Sequence, residues 1–212
     1  FDAYFSFDTD FSDNGFDHNI INQIKMENAG LHPVPVVHNL FDGEIDYYLS
    51  TGKYTHIALG SKQITNFDDF AYAVYRIKKG NPNIKIHWFG GSRYDWLCQL
   101  PVSSCDTSSW AMTGKFGEIN FWNPNIEGLD KAQKIYTAGT LKDDLGPSQY
   151  HYVTYPWRDE VDQYLKDTFG LVYEDLCGYD AVINMMLINA RFYSAQERRI
   201  NEERTKRGIP LE

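Results

Sequence analysis

The sequence predicts an α/β fold of the (β/α)8 TIM-barrel type, with its first strands missing from the chain and helices added at the C-terminus. Short strands that are apolar on both faces alternate with helices through the first half of the chain, as in parallel sheets covered by helices. Polar residues follow these strands at their C-terminal ends, where barrel enzymes build their active sites. Five such strands precede Trp110, so we expect about three more before Phe1.

The first two strands and the helix between them follow from apolar spacing and turn residues. Residues 3–7 are apolar and aromatic and predict a strand, which leads into an acidic, turn-rich loop. Residues 17–28 have a helical apolar period that ends before Gly30, and residues 33–37 predict the second strand. The side chains expected on the buried face of this helix are Ile20, Ile21, Ile24 and Met26.

Three further strands alternate with helices up to Trp110. The predicted elements, in chain order, are a helix at 41–49, a strand at 54–59, a helix at 67–79, a strand at 84–89, a short helix at 93–99 and a strand at 102–105. Phe70, Val74 and Ile77 share one face of the helix at 67–79, which predicts that they are buried. The basic last turn of that helix suits the helix dipole.

The alternation stops after Trp110. Residues 117–122 predict one more strand, residues 123–155 are rich in loop-forming Gly and Pro, and helices are predicted at 158–169 and 180–207. We therefore divide the chain into three parts. These are the C-terminal part of a barrel at 1–123, a loop-rich connection at 124–157 and a helical C-terminal region at 158–212.

Composition narrows the class of protein. The net charge of −9 argues against a surface that binds nucleic acid everywhere, although it leaves room for a local basic groove. The three cysteines lack CxxC spacing, so they support neither a disulfide framework nor a four-thiolate zinc site. No apolar run approaches the roughly 20 residues that span a bilayer. We expect a cytoplasmic protein without membrane contact.

Polar residues and glycines follow every predicted strand of the first half. Because the C-terminal ends of parallel strands meet at one rim, we expect these residues to lie together. Glycines at such a rim let a ligand approach the backbone closely, and acids with a histidine suit a polar, planar ligand. The candidate residues are Asp8, Asp10, His38, Gly60, Gly90, Gly91 and Asp106.

Each candidate also has a structural explanation. Asp106 precedes Thr-Ser-Ser and is as well placed to cap a helix as to do chemistry. Asp8 and Asp10 suit solvation or capping in a strand-end loop, and His38 alone suits a hydrogen-bonded structural histidine. The histidines lack ligand spacing such as HExxH, so we expect no metal site.

The C-terminal helix is basic in its second half. A solvated surface is the ordinary explanation for such a face, and contact with nucleic acid is the alternative. The arginines that would make this contact are Arg198, Arg199, Arg204 and Arg207.

Ordered short motifs resemble a known enzyme family. Lys85-Ile-His-Trp-Phe-Gly-Gly91 is followed by Val102-Ser-Ser-Cys-Asp-Thr-Ser-Ser-Trp110 and then by Gly117-Glu-Ile-Asn-Phe-Trp122. This series is similar to the C-terminal barrel half of the tRNA-guanine transglycosylase superfamily, and most similar to its 7-deazaguanine DNA transglycosylase branch of phages and bacteria. Upstream, Phe7-Asp-Thr-Asp10, Pro35-Val-Val-His38 and Ala58-Leu-Gly60 follow in the family's order. The resemblance extends over roughly residues 3 to 123.

The resemblance implies a base exchange that needs no cofactor. Asp106 would attack C1′ of the sugar, guanine would leave, and a 7-deazaguanine would replace it on the covalent intermediate. Asp8 is the implied base-recognition carboxylate, with Asp10 as its substitute. Gly60 would donate its N–H to the guanine carbonyl oxygen, and His38 would contact the base. The implied partners are DNA, in preference to tRNA, and a 7-deazaguanine base.

The chain departs from the family pattern in three places. The family's Asp-Ser-Gly motif and its zinc-binding cysteines are absent, and Ser61 stands where a second glycine is usual. Without the first strands the barrel cannot close, so a separate N-terminal segment or a second copy would have to supply them. The alternative function is a catalytically inactive barrel that binds nucleic acid or serves as a structural component.

Overall fold

The computed structural model describes residues 3–12, 15–137, 145–146 and 149–211. Over these residues it is a mixed α/β structure with seven α-helices and two β-sheets. The chain divides into two compact units, one comprising residues 1–107 with 203–212 and the other residues 108–202. This division is based on which residues contact one another in space, whereas the three ranges predicted from the sequence are based on its pattern of strands, loops and helices.

The first unit contains a parallel sheet of four strands in the order β1-β2-β3-β4, with Val36 opposite Ala58 and His87 opposite Ser104. A parallel bridge between Phe5 and Val34 stands where the first strand was predicted. The strands are β1 (Val36–Val37), β2 (His56–Leu59), β3 (Lys85–Trp88) and β4 (Ser104–Cys105). The helices are α1 (Phe16–Asn28), α2 (Glu44–Thr51), α3 (Phe67–Gly80) and α4 (Tyr94–Leu97).

Alternation along the strands gives the sheet two different faces. Helix α3 packs on one face, where the Phe70 ring lies 4.1 Å from the Trp88 ring. Phe70, Val74 and Ile77 are buried, as their spacing predicts. The opposite face carries a small apolar cluster of Val34, Val36 and Ala58, against which Phe5 and Phe89 pack.

Helix α1 buries a different face from the one expected. Its buried side chains are Asn19 and Gln23, while Ile21 and Ile24 are exposed. The Asn19 amide oxygen accepts the N–H groups of Thr9 and Asp10, and Gln23 donates to the carbonyl of Pro33. Apolar periodicity missed this interface because α1 packs through amide hydrogen bonds to loop backbone.

The second unit is built on a mixed sheet in the order β5-β6-β7, antiparallel between β5 and β6 and parallel between β6 and β7. Strands β6 and β7 lie in the segment 124–157, which was predicted to be loop because it is rich in Gly and Pro. Ile119, Ile135, Leu165 and Ile188 form the centre of its core. The elements are α5 (Ser109–Lys115), β5 (Glu118–Trp122), β6 (Ala132–Tyr136), β7 (Gln149–His151), α6 (Arg158–Phe169) and α7 (Ala181–Arg207).

Helix α7 is the longest element, with 27 residues, and its last turn is counted with the first unit. Within the second unit, its Asn189 side chain accepts the Asn120 N–H at 2.7 Å and donates to the carbonyl of Glu118 at 3.0 Å. In the described part of the chain, no helix combines the length and the apolar character needed to cross a membrane.

Candidate functional site

The C-terminal edge of the parallel sheet collects most of the residues that the sequence singled out. His38 follows β1, Gly60 follows β2, and Gly90 and Gly91 follow β3. Asp106 follows β4 at the same edge. The strands are parallel and adjacent, so the expected convergence of these positions is present.

Asp106 presents an exposed carboxylate that is held on one side. Its Oδ1 accepts the Gly90 N–H at 2.9 Å, and its side chain is 59% exposed. No hydrogen bond within the described residues reaches its Oδ2. The N-cap position of α5 belongs to Ser108, so Asp106 does not fill the capping position that was the alternative. One oxygen is thus fixed, and the side chain as a whole is open to solvent.

His87 is a neighbour of Asp106 that the sequence reasoning did not select. Its Nε2 lies 3.5 Å from Oδ1 of Asp106, and its Nδ1 lies 2.9 Å from Oγ of Ser104. The Phe5 and Phe89 rings contact the imidazole, with centroids 4.8 and 4.6 Å away. Burial lowers the pKa of His87, and the negative charge of Asp106 opposes this effect only in part. The imidazole is therefore uncharged at neutral pH.

His87 could have been identified from the strand Lys85-Ile-His-Trp88, in which successive side chains alternate between the two faces of the sheet. The residue in register with His87 on β2 is Ala58, a member of the apolar cluster on the sheet face opposite α3. A histidine that shares this face, one residue before the end of β3, lies next to any group at the following strand end. Pattern analysis of strand ends alone could not select it, because it lies within the strand.

Asp8 and His38 form a second pair at this edge. Nε2 of His38 lies 2.9 Å from Oδ2 of Asp8, whose side chain is 8% exposed. Oδ1 of Asp8 accepts a hydrogen bond from Ser6 Oγ at 2.9 Å. Both carboxylate oxygens of Asp8 are thus engaged, and its direct effect is to orient the imidazole of His38.

Glu44, at the start of α2, supports this pair and was also missed by the sequence reasoning. Its side chain accepts the backbone N–H of His38 at 2.7 Å, and it also accepts the N–H of Asn39. Glu44 is only 3% exposed, and this burial raises its pKa against the lowering effect of the two N–H donors. A glutamate in the first turn of a helix looks like an ordinary surface residue in sequence.

The glycines of the edge have packing roles. A Cβ on Gly60 would lie 2.8 Å from Cγ1 of Val36 and 3.4 Å from Cε1 of His38. A Cβ on Gly91 would overlap the Trp88 ring. The Gly60 N–H donates to the carbonyl of Val37 at 2.9 Å, as part of the strand ladder. That N–H is therefore occupied, whereas the resemblance implies that it contacts a guanine.

Asp10 lies apart from this constellation. Its Oδ1 accepts hydrogen bonds from the N–H and the hydroxyl of Ser12, and its Oδ2 lies 2.9 Å from Nδ1 of His18. The Ser12 hydroxyl, followed by His18, lowers the pKa of Asp10 to about 2. Asp10 therefore organises the loop before α1 instead of facing the strand ends.

The four arginines expected to contact nucleic acid have different surroundings. Arg204 is 4% exposed and donates to the carbonyls of Leu97, Leu100 and Val102 at 2.6 to 2.8 Å. Its guanidinium is thus unavailable to a phosphate, because the irregular segment after α4 leaves carbonyl groups that need a donor. Arg207 pairs with Glu203 at 2.8 Å.

The two remaining arginines lie in the second unit. Arg198 lies 3.7 Å from Glu202. The guanidinium of Arg199 lies over the Trp122 ring, 4.5 Å from its centroid. Within the described residues, no group of three His, Cys, Asp or Glu side chains is arranged to hold a metal ion.

Comparisons with known proteins leave the family open. No protein-family model matches this chain, and no curated protein matches its sequence. The chemistry that the edge can support depends on its own groups. These are an exposed carboxylate beside an uncharged imidazole, and a buried acid that orients a second imidazole.

Proposed function

We propose that this protein is a base-exchanging transglycosylase that replaces guanine in DNA, in preference to tRNA, by a 7-deazaguanine. The observation that supports the proposal most is Asp106, an exposed carboxylate at the C-terminal edge of a parallel sheet, held by the Gly90 N–H through one oxygen. In this proposal the four-stranded sheet is the C-terminal part of a (β/α)8 barrel.

The proposed reaction proceeds through a covalent aspartyl-sugar intermediate. Oδ2 of Asp106 forms a bond to C1′ while the bond from C1′ to N9 of guanine breaks, and the departing guanine takes up a proton. The incoming 7-deazaguanine then attacks C1′ from the vacated side, loses its N9 proton and releases the carboxylate. Because the transition state is oxocarbenium-like, a carboxylate beside the anomeric carbon stabilises its charge and then traps it.

His87 keeps the nucleophile in its reactive form in this proposal. A protonated imidazole 3.5 Å from Asp106 would pair with the carboxylate and make it a weaker nucleophile. Burial of His87 favours the uncharged ring, so no ion pair with the imidazole weakens the carboxylate as a nucleophile. His87 is thus a positioning residue that acts through Asp106.

The Asp8 and His38 pair is the proposed contact with the base. Asp8 fixes the imidazole through Nε2, which leaves Nδ1 of His38 to face a ligand at the strand ends. A base must leave its stack to reach such an edge, and the edges of extruded bases are recognised by hydrogen bonds. Because both oxygens of Asp8 are engaged, we assign the direct contact to His38.

Covalent trapping tests the proposal. The unmodified protein, incubated with a guanine-containing oligonucleotide, should form an adduct that survives denaturing electrophoresis and should exchange labelled guanine. Asp106→Asn should abolish both signals, because the amide cannot attack C1′. Asp68→Asn removes an exposed carboxylate from the first turn of α3 and should leave both unchanged. An unmodified protein that forms no adduct and exchanges no guanine with DNA or tRNA would refute the proposal.

A catalytically inactive barrel that binds nucleic acid or a protein partner is the second candidate. It is favoured by the occupied N–H of Gly60 and the two engaged oxygens of Asp8, which leave fewer groups for base recognition. Binding of an oligonucleotide without adduct or exchange, and with equal affinity in Asp106→Asn, would decide for this function.

A further inference from the structure

One face of helix α7 carries three arginines that line a small cavity in the second unit. Arg198 and Arg199 follow Arg191 by seven and eight residues, a spacing that places all three on the same side of a helix. Ala195, one turn before Arg199, leaves room between them. Together with Trp122 of β5 and Tyr164 of α6, these residues enclose a cavity of about 180 Å³.

The geometry of the cavity holds its cationic groups in place. The Arg199 guanidinium lies over the face of Trp122, with 4.5 Å between its central carbon and the ring centroid. Tyr164 lines the cavity with Arg191 and Arg199, and the positive charges of both arginines oppose the rise that burial causes in the pKa of Tyr164. Stacking on an aromatic ring fixes the plane of a guanidinium and reduces the freedom it must lose on binding an anion.

Arg198, which lines this cavity, forms an exposed ion pair. Its guanidinium lies 3.7 Å from Glu202, and both side chains are mostly exposed. Exposed pairs of this kind contribute little and exchange readily for a stronger anion. In a chain with a net charge of −9, three arginines around one cavity form a local positive site.

We propose that Arg191, Arg198 and Arg199 form a binding site for a phosphodiester group of single-stranded nucleic acid. Guanidinium groups bind phosphate oxygens through paired N–H donors, and the cavity is of a size for one phosphate group. The position of the three arginines around the cavity is sufficient to support a phosphate site. The choice of a nucleic acid over free phosphate rests on the proposed function. The site differs from the basic C-terminal turn, where Arg204 is buried in backbone contacts.

Fluorescence anisotropy with a labelled single-stranded oligodeoxynucleotide tests this site across a range of salt concentrations. Removing one phosphate contact should weaken binding about fivefold to tenfold at low salt and reduce the salt slope by about 0.7. We therefore expect Arg191→Gln to show one such loss, and the double variant Arg191→Gln with Arg199→Gln to show two. Lys206→Gln removes the same charge from an exposed position of α7 outside the cavity and should change affinity less than twofold.

Equal affinity and equal salt slope in the unmodified protein and the double variant would overturn the proposal. If the double variant fails to fold, as judged by circular dichroism, the single variant Arg191→Gln decides, because Arg191 is exposed. Competition with inorganic phosphate separates the two ligand sources. Phosphate binding that depends on the arginines, together with oligonucleotide binding that does not, would overturn the nucleic-acid proposal.

The same titrations in Asp106→Asn separate this inference from the proposed function. Asp106 is not among the residues that line the cavity, so the arginine dependence should persist in that variant. If the unmodified protein exchanges no base but binds oligonucleotide through the arginines, the phosphate site stands and the transglycosylase proposal fails. If base exchange occurs while the arginine variants bind the oligonucleotide normally, the transglycosylase proposal stands and the phosphate site fails.

Discussion

At the residue scale, the most informative pair is His87 and Asp106. The nearest charged group to the imidazole is the Asp106 carboxylate at 3.5 Å, and its other neighbours are the Ser104 hydroxyl and the rings of Phe5 and Phe89. An imidazole in these surroundings loses hydration when it is buried, which disfavours its charged form. The protonation state of His87 therefore controls how strongly Asp106 is paired.

Adduct formation should decline only at a pH below the ordinary histidine pKa of about 6.5, since burial lowers the pKa of His87. His87→Gln keeps a polar side chain without a titrating group and should remove this decline. It should lower the single-turnover rate by about tenfold, with little change in KM, through weaker positioning of Asp106. Single-turnover rates measured from pH 5 to pH 8 check this prediction. An unchanged acid limb in the variant would assign the decline to another group.

At the element scale, Arg204 shows how the last turn of α7 stabilises an irregular segment. The last residue of α4 and the segment that follows it direct three carbonyl groups at one guanidinium, which supplies donors for all of them. Neither the segment nor the helix turn could satisfy these groups alone, because a buried carbonyl without a donor costs free energy. The basic character of this turn is therefore partly structural.

Arg204→Met should lower the free energy of unfolding by about 3 kcal/mol, because the apolar side chain fills the space but leaves the carbonyls without donors. Lys206→Met changes an exposed cation two residues away and should alter the same free energy by less than about 0.5 kcal/mol. Urea unfolding followed by circular dichroism measures both. Equal midpoints for the two variants would show that the carbonyl contacts contribute nothing.

At the scale of the whole molecule, buried Glu44 should make stability depend on pH. Its pKa is raised in the folded state, so the folded protein binds more protons than the unfolded chain above the ordinary glutamate pKa. This contribution to stability is fully present below that ordinary value. It is lost as the pH rises through the raised pKa of the folded state.

Glu44→Gln retains an oxygen that accepts the His38 and Asn39 N–H groups and removes the titrating charge. Its unfolding free energy should therefore fall less than that of the unmodified protein between pH 4.5 and pH 8. Glu44→Ala removes the acceptor and should cost about 2 kcal/mol at either pH. Urea unfolding at several pH values measures these differences. Parallel pH curves for the unmodified protein and Glu44→Gln would contradict the prediction.

The alternation of strands and helices, the buried face of α3 and the position of His38, Gly60, Gly90 and Asp106 at one edge were predictable from the sequence. These features follow from the periodicity of apolar residues along the sequence and from the geometry of parallel strands.

The contacts between side chains were not predictable from the sequence. The folded structure places His87 beside Asp106 and uses Asp8 and the Gly60 N–H in hydrogen bonds. It also buries Arg204, and it brings Arg191, Arg199 and Tyr164 to the same cavity. It also revealed strands β6 and β7 and the polar face of α1. The physical reason is that hydrogen bonds between distant segments depend on distance and direction, and neither is encoded in the period of a single element.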